Sequence, residues 1–279
     1  MNSSKAMPAI NREVFRFSAQ PRLEKPSLVV GWVNDTGDVG RGVADFLAGA
    51  TGGHSFCQIE PTSFFAVGGV TIESNIAEFP QSRFFYDERN NVLVLRSDEP
   101  QSSKYEFLSA VLDLAEHYKA ECLYLVNGIA SMIAHTAPRR VFGVFSDPET
   151  RERLKWYVPV GMSWQGTPPT STYLVWLAKE RGIPAASLWI EVPFYLAGGP
   201  DAQAVKTAAS LLEQIIGWDY GVSDLDLRVI EQEEALAELR QEDPEVDAGI
   251  QALEQQETLN SEEQAELIEA VQGALKRHG

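Results

Sequence analysis

Short apolar runs and longer amphipathic stretches alternate along most of the chain. Continuous apolar runs at residues 28–33 and 122–126 are typical of strands buried on both faces of a sheet. Residues 105–118 instead carry apolar side chains at helical spacing. Two further runs, 83–86 and 91–96, predict a β-hairpin because a polar turn separates them. The pattern predicts an α/β fold whose mostly parallel, mixed sheet has helices on both faces.

The chain divides into three parts by composition. Residues 1–26 are polar and contain three prolines, so we expect a flexible N-terminal arm. Residues 27–222 are predicted to form the α/β core domain, and residues 223–279 an acidic helical appendage. Capping residues mark the starts of its three helices, at Ser223, Asp243 and Ser261. These helices have narrow apolar faces, which predicts packing on the core or on a neighbouring subunit; a solvated tail is the alternative.

The charge of the chain restricts its partners. The net charge is −17, and the 52 residues from Arg228 to Gly279, with fourteen acidic and four basic side chains, carry −10 of it. Nucleic acids and anionic lipid surfaces require clustered Lys and Arg, so neither is an expected partner. No apolar run approaches the ~20 residues that span a bilayer, and the first residues lack a signal-peptide pattern. We therefore expect a cytoplasmic protein with buried free thiols at its two cysteines.

A glycine-rich turn in VVGWVNDTGDVGRGVADFL, residues 29–47, has the strand–turn–helix outline of a phosphate-binding loop. A P-loop requires G-x-x-x-x-G-K-[ST], in which the lysine meets the phosphates. Here Gly31 and Gly37 are one residue too far apart, and Asp38 stands where the lysine belongs. The dinucleotide pattern G-x-G-x-x-G is also missing from this stretch.

The charge of this turn also argues against phosphate binding. A helix N-terminus attracts anions, but Asp35 and Asp38 already supply negative charge, and Asp35 or Thr36 can cap the first amides. We interpret the stretch as a self-capped structural turn, with phosphate binding as the alternative. The glycines expected to shape it are Gly31, Gly37 and Gly40.

Polar residues follow several of the predicted strands. They are Asn34, Asp35, Glu60, Asn127 and Glu191. Ligands of open parallel sheets bind at the carboxyl ends of strands, so a cleft here could hold magnesium or perform acid–base chemistry. The alternative, which we favour, is that each side chain caps a helix or satisfies loop amides. No cofactor is predicted.

A serine-nucleophile motif is present only in imperfect form. Gly161-Met-Ser163-Trp-Gln-Gly166 has one residue too many for G-x-S-x-G, and His135 is the best placed base. We assign no catalytic or metal-binding residue. Trp164, in the same loop, is the tryptophan expected at a surface or interface.

Three stretches together resemble the proteasome assembly chaperone 2 family. They are LVVGWVNDTGDVGRGVADFLAG, GTPPTSTYLVWLAKERGIPAASLWIEVP and PDAQAVKTAASLLEQIIGWD, within residues 28–227. The resemblance implies a phosphorylase/hydrolase-like fold, self-association and a role in assembling other proteins, with no established catalytic residues. Some relatives reach the proteasome through a C-terminal hydrophobic–Tyr–any motif, and the ending Ala274-Leu-Lys-Arg-His-Gly279 departs from it.

The leading hypothesis is a non-enzymatic assembly or interaction protein. It would act as a homo-oligomer, a trimer or larger, with other proteins as further partners. The alternative is a hydrolase- or phosphorylase-type enzyme that uses an acidic cleft at the strand ends. A tightly bound metal, nucleoside or phosphate would favour this alternative, since fold kinship alone is an analogy.

Overall fold

The computed structural model describes residues 13–65, 71–73, 76–163 and 165–278. The strands are β1 (Phe15–Phe17), β2 (Ser27–Trp32), β3 (Ser55–Ile59), β4 (Thr71–Glu73), β5 (Ile76–Glu78), β6 (Ser82–Asp87), β7 (Val92–Ser97), β8 (Cys122–Ser131), β9 (Val141–Phe145), β10 (Val160–Gly161) and β11 (Ala185–Pro193). The helices are α1 (Val39–Ala50), α2 (Lys104–His117), α3 (Pro148–Leu154), α4 (Thr170–Arg181), α5 (Ala202–Ile216), α6 (Asp224–Glu242), α7 (Pro244–Glu254) and α8 (Ser261–His278).

Nine strands form one mixed sheet in the order β1-β3-β6-β7-β2-β8-β11-β9-β10, and β4 and β5 pair separately. The centre, β7-β2-β8-β11, is parallel, whereas the pairs β1–β3, β3–β6, β6–β7 and β11–β9 are antiparallel. Helices α1 and α5 pack on one face of the sheet, and α2 and α4 on the other. The predicted α/β fold, with a mixed sheet covered on both faces, is confirmed.

The central strand β2 shows why its sequence is continuously apolar. Val29 packs with the α1 and α5 core, while Leu28 and Val30 pack with the α2 and α4 core. All six residues of the strand are buried. A strand covered on both faces cannot alternate apolar and polar residues, because every side chain leaves water.

Helix α1 lies unusually close to β2 because both elements carry glycine at their contact. A Cβ atom added to Gly31 would lie 2.0 Å from the carbonyl oxygen of Gly40. A Cβ atom on Gly128 of β8 would similarly lie 1.9 Å from the carbonyl oxygen of Thr36. Side chains at these positions would push the turn away from the sheet, so the glycines fix its close approach.

The N-terminal stretch is more ordered than the expected arm. Phe15–Phe17 forms the edge strand β1, antiparallel to β3, and Phe15 is buried. The ring of Phe17 lies 6.5 Å from that of Phe56. The expectation of a loose arm over residues 1–26 is therefore wrong for this segment, because its phenylalanines join the core. Residues 1–12 lie outside the described residues.

The C-terminal helices pack on the core rather than extending into solvent. Their most buried side chains belong to the same cluster as the α1 and α5 core, and include Leu236, Ile250 and Val271. Arg240 of α6 donates hydrogen bonds to Asp247 at 2.7 Å and to Glu254 at 2.9 Å, and Thr136 of the core donates to Glu254 at 3.1 Å. The sequence left open a packed and a solvated arrangement of the tail, and the structure shows the tail packed on the core. No helix in the described ranges is long and apolar enough to cross a membrane.

The close approach of α1 to β2 is testable with two alanine substitutions. Gly31→Ala should reduce the free energy of unfolding by about 3 kcal/mol, because the new methyl group meets backbone that cannot rotate away. Gly49→Ala is the matched control on α1, since a Cβ atom there meets nothing within 4 Å. It should raise stability by about 0.5–1 kcal/mol through helix propensity. Urea unfolding measures both values, and equal effects would contradict the packing argument.

Candidate functional site

The carboxylate of Asp35 fills the crevice between the carboxyl ends of β2 and β8. After β2 the chain forms β3, β6 and β7 on one side of β2, and then β8 on the other side. The crevice between β2 and β8 is therefore where the strand order reverses. Both Asp35 oxygens lie 3.0 Å from the Gly40 amide nitrogen, and Oδ2 also accepts from the Gly128 amide at 2.9 Å. Such crevices bind ligands in many α/β proteins. Here a side chain of the chain itself occupies the anion position at the start of α1.

Burial raises the pKa of Asp35 to about 6, although the hydrogen bonds from Gly40 and Gly128 favour the charged form. The nearby charge of Asp38 makes a smaller contribution to this raised value. The carboxylate is therefore mostly ionised at neutral pH and begins to protonate in mildly acidic solution.

The turn after Asp35 is bonded to the segment that opens α5. Gly37, at φ 67°, donates to the Ala197 carbonyl at 3.1 Å and accepts from the Asp201 amide at 2.9 Å. The Asp201 carboxylate accepts from the Ala204 amide at 3.0 Å and so caps α5. It also forms a buried ion pair with Arg139 at 3.0 Å. Asp201 thus ties three segments together: its backbone amide bonds the glycine turn, and its buried carboxylate bonds α5 and the 132–140 loop.

Asn127 belongs to a buried hydrogen-bond chain on the opposite face of the sheet. Trp32 Nε1 donates to Ser171 Oγ at 2.7 Å, and Ser171 donates to Asn127 Oδ1 at 2.5 Å. The Asn127 amide then donates to Ser187 Oγ at 3.0 Å. This chain fixes the start of α4 over the sheet and leaves the amide of Asn127 fully bonded.

Glu191 is also used internally. Its buried carboxylate accepts hydrogen bonds from Arg140 Nε at 2.8 Å and from Arg140 Nη2 at 2.6 Å, while the Arg140 side chain is largely exposed. Burial opposes ionisation of Glu191, but the hydrogen bonds from Arg140 and Ser131 outweigh it, so the pKa lies below its ordinary value. A carboxylate held ionised in a two-point pair with arginine is a poor proton donor or base near neutral pH.

The five predicted strand-end residues do not form one cleft. Asp35 lies on the α1 face of the sheet, whereas the side chains of Asn127 and Glu191 lie on the α4 face. Glu60 follows β3, which β6 and β7 separate from β2, and it pairs with Arg16 at 2.5 Å. Asn34 is exposed on the loop after β2.

His135 is held by Tyr195. The Tyr195 hydroxyl accepts from the His135 amide at 2.6 Å and is hydrogen-bonded to the ring Nδ1 at 2.9 Å. Burial, together with the nearby charges of Arg240 and Arg139, lowers the pKa of His135 to about 4. The ring is neutral at physiological pH. Trp164, the predicted interface residue, lies outside the described residues.

Both cysteines lie in the core of the protein. Cys57 and Cys122 are free and buried, as expected, and burial raises the pKa of Cys57 to about 12 and that of Cys122 to about 11. No group of three His, Cys, Asp or Glu side chains in the described parts of the chain could hold a metal ion.

The structure shows a stacked aromatic pair at the edge of the core that the sequence pattern did not indicate. Trp176 of α4 is 50% exposed, and its ring stacks on that of Tyr173 with centroids 5.7 Å apart. Tyr173, three residues earlier on the helix, is half-buried against the α2 and α4 core. The three-residue spacing of Tyr173 and Trp176 could have indicated the pair from the sequence. However, α4 carries apolar residues around most of its circumference, so the sequence does not show which face of the helix is exposed.

Comparison with protein families identifies the chain. The model of the PAC2 family matches residues 28–240, which include the glycine turn, the sheet apart from β1 and most of α6. The chain belongs to the PAC2 family. The resemblance inferred from three short stretches is thereby confirmed, and the match extends beyond residue 227 into the tail. None of the curated proteins compared with this PAC2 chain matches it.

Solved structures show the same fold. A protein of unknown function from Corynebacterium glutamicum has a TM-score of 0.74 at 21% identity, covering 87% of this chain and 96% of its own. The Pyrococcus furiosus archaeal proteasome activator PbaB has a TM-score of 0.67 at 21% identity, with 81% and 98% covered. A PAC2 family protein from Streptomyces avermitilis has a TM-score of 0.65 at 21% identity, with 73% and 91% covered.

The role of Asp35 is testable by removing its carboxylate. Asp35→Ala should lower the free energy of unfolding by about 2 kcal/mol at pH 7.5, because the Gly40 and Gly128 amides lose their acceptor. Asp38→Asn is the control: its φ of 49° suits asparagine, so stability should change by less than about 0.5 kcal/mol. Urea unfolding compares the two variants. A harmless Asp35→Ala would show that the carboxylate is not the acceptor that holds the turn.

The buried neutral His135 predicts a pH dependence. Between pH 7 and pH 5 the unfolded chain gains a proton that the native ring does not, so His135 makes stability fall as pH falls. The loss is roughly 2 kcal/mol for a native pKa of about 4. In His135→Gln the fall in unfolding free energy over this range should be smaller by that amount. His54→Gln, at an exposed position, should retain the wild-type fall. An unchanged fall in His135→Gln would mean that the ring is not buried in its neutral form.

Proposed function

We propose that the protein is a non-enzymatic assembly or interaction protein that acts as a homo-oligomer, a trimer or larger. The observation that carries this proposal is the half-exposed ring of Trp176 on α4, which stacks on the half-buried Tyr173. Large aromatic side chains with few rotamers are frequent anchors of protein interfaces, because they bury much area at low entropic cost.

The state of the predicted cleft supports the same proposal. The carboxylates of Asp35 and Glu191 and the amide of Asn127 all have internal hydrogen-bond partners, and they lie on two faces of the sheet. A catalytic acid or base needs a free position facing substrate. The arrangement of these groups instead favours the structural roles that we preferred from the sequence.

The names of structural neighbours point in the same direction. Pyrococcus furiosus PbaB is described as an archaeal proteasome activator, and PbaA from the same organism as an archaeal homolog of proteasome-assembly chaperone. Both share less than 25% identity with this chain, so what they supply is a precedent for protein assembly on this fold.

The surrounding charge fits an interface of this type. Next to the pair on α4 lie Lys179 and Glu180, which carry opposite charges, whereas the C-terminal tail carries most of the net negative charge. Copies of an acidic chain repel each other over most of their surface. They can approach most easily through a locally neutral, aromatic surface, which is what α4 provides.

The proposal predicts how oligomers respond to substitution. A Tyr173→Ser/Trp176→Ser double variant should associate at least tenfold more weakly than wild type, because the anchor of the interface is removed. Trp156→Ser is the control, since Trp156 on the turn after α3 is 83% exposed but its ring stacks on no other aromatic ring that the structure describes. Native mass spectrometry and light scattering give the subunit number, and circular dichroism checks the fold.

Either of two results would contradict the proposal. The first is a wild-type protein that stays monomeric at tens of micromolar. The second is a subunit that carries extra mass released on acidification, together with loss of its cellular role in Glu191→Gln at normal stability. The second result would favour the hydrolase- or phosphorylase-type alternative.

A further inference from the structure

A pocket of about 720 Å³ lies between the core and the C-terminal helices. It is bounded by α1, the loop before α5, α6 and α8. Its volume falls within the range of roughly 300–1,000 Å³ that is common for small-molecule sites. The α4 surface lies on the other face of the sheet, so this pocket is separate from the interface proposed above.

The floor of the pocket is apolar. Its apolar side chains come from the loop before α5, from α5 itself, and from α6 and α8: Leu196, Val205, Leu225, Ala235 and Leu275. The loop that contributes to the floor is held in place by Gln232 of α6, whose Oε1 accepts from the Ala202 amide at 2.9 Å and whose Nε2 donates to the Pro200 carbonyl at 2.6 Å. The walls are thus pre-formed by hydrogen bonds and by core packing.

Three helices each contribute one cation to the lining: Arg41 from α1, Arg228 from α6 and Lys276 from α8. Arg228 and Lys276 form no ion pair with any residue that the structure describes. This convergence is unusual in a chain with 23 basic and 40 acidic residues. Unpaired cations that line an apolar pocket favour a ligand with a negative charge.

The lining also carries three carboxylates, Asp38, Asp45 and Glu231. Asp45 is paired with Arg96 at 2.5 Å and with Arg41 at 3.6 Å. Asp38 also interacts with the charge of Arg41. Glu231 stands three residues after Arg228 on α6 and offsets one positive charge, so the Arg228–Lys276 side of the pocket keeps one positive charge in excess.

We propose that this pocket binds a small organic acid with an apolar body, such as a medium-chain carboxylate. The carboxylate head would pair with Arg228 and Lys276, and the chain would cover the floor around Leu225 and Leu275. Because the pocket joins α1 and α5 to α6 and α8, a bound acid would also stabilise the attachment of the tail to the core.

Calorimetric titration of the full chain with octanoate tests the proposal, with octanol as the uncharged comparison. We expect one octanoate per chain, bound at least tenfold more tightly than octanol, and an octanoate affinity that weakens as salt rises. In Arg228→Gln/Lys276→Gln the preference for octanoate over octanol should disappear while octanol affinity stays the same. Ala235→Trp, which fills the floor, should abolish both. Arg151→Gln, at an exposed position on α3 away from the pocket, is the charge control and should bind like wild type.

Three outcomes would overturn the proposal. They are no saturable octanoate binding, equal binding of octanoate and octanol by the wild type, and an unchanged preference for octanoate in the double variant. If Ala235→Trp fails to fold, the proposal is still tested by Arg228→Gln/Lys276→Gln. This double variant changes only exposed side chains, and it measures the contribution of the two cations to carboxylate binding independently. None of these outcomes bears on subunit number, so they are distinguishable from failure of the proposed oligomer.

Discussion

The hydrogen bonds of Asp35 hold together the part of the fold on which the rest depends. One carboxylate joins the loop after β2, the first turn of α1 and the backbone of β8. It can reach both amides because glycine at positions 31 and 128 lets the turn lie against the sheet. The crevice that many α/β proteins leave open for a ligand is therefore closed by the chain itself. This closure explains why a strand–glycine turn–helix segment does not require a phosphate.

The two faces of the sheet have different surroundings as a consequence. On the α1 face, the turn is bonded to the Asp201–Arg139 pair, and the C-terminal helices extend the core from there. On the α4 face, Asn127 and Glu191 fix the sheet to α4 and to Arg140, and no C-terminal helix covers the described part of α4. The aromatic pair on α4 is thus left at the surface, whereas the organic-acid pocket forms where the tail meets the core.

The sequence predicts local elements well and long-range partnerships poorly. Of the predicted caps of the tail helices, Asp243 accepts from the Glu245 and Val246 amides as expected. Ser223 precedes α6 but makes no capping hydrogen bond with its side chain, and the cap of α8 is Asn260 rather than the predicted Ser261. Strand β1 escapes prediction because it has three residues and draws its stability from pairing with β3. The Asp201–Arg139 pair joins positions 62 apart, and strand alternation alone cannot say that Asp35 and Asn127 end on opposite faces. Those features depend on strand order, which local patterns do not contain.

An NMR pH titration of the Gly40 and Gly128 amide resonances would test the central claim most directly. If one carboxylate accepts from both amides, the two signals should shift together with a single midpoint near the Asp35 pKa of about 6. Both shifts should disappear in Asp35→Asn. Separate midpoints, or signals that do not respond between pH 5 and pH 7, would contradict the account, because the crevice would then not be closed by Asp35.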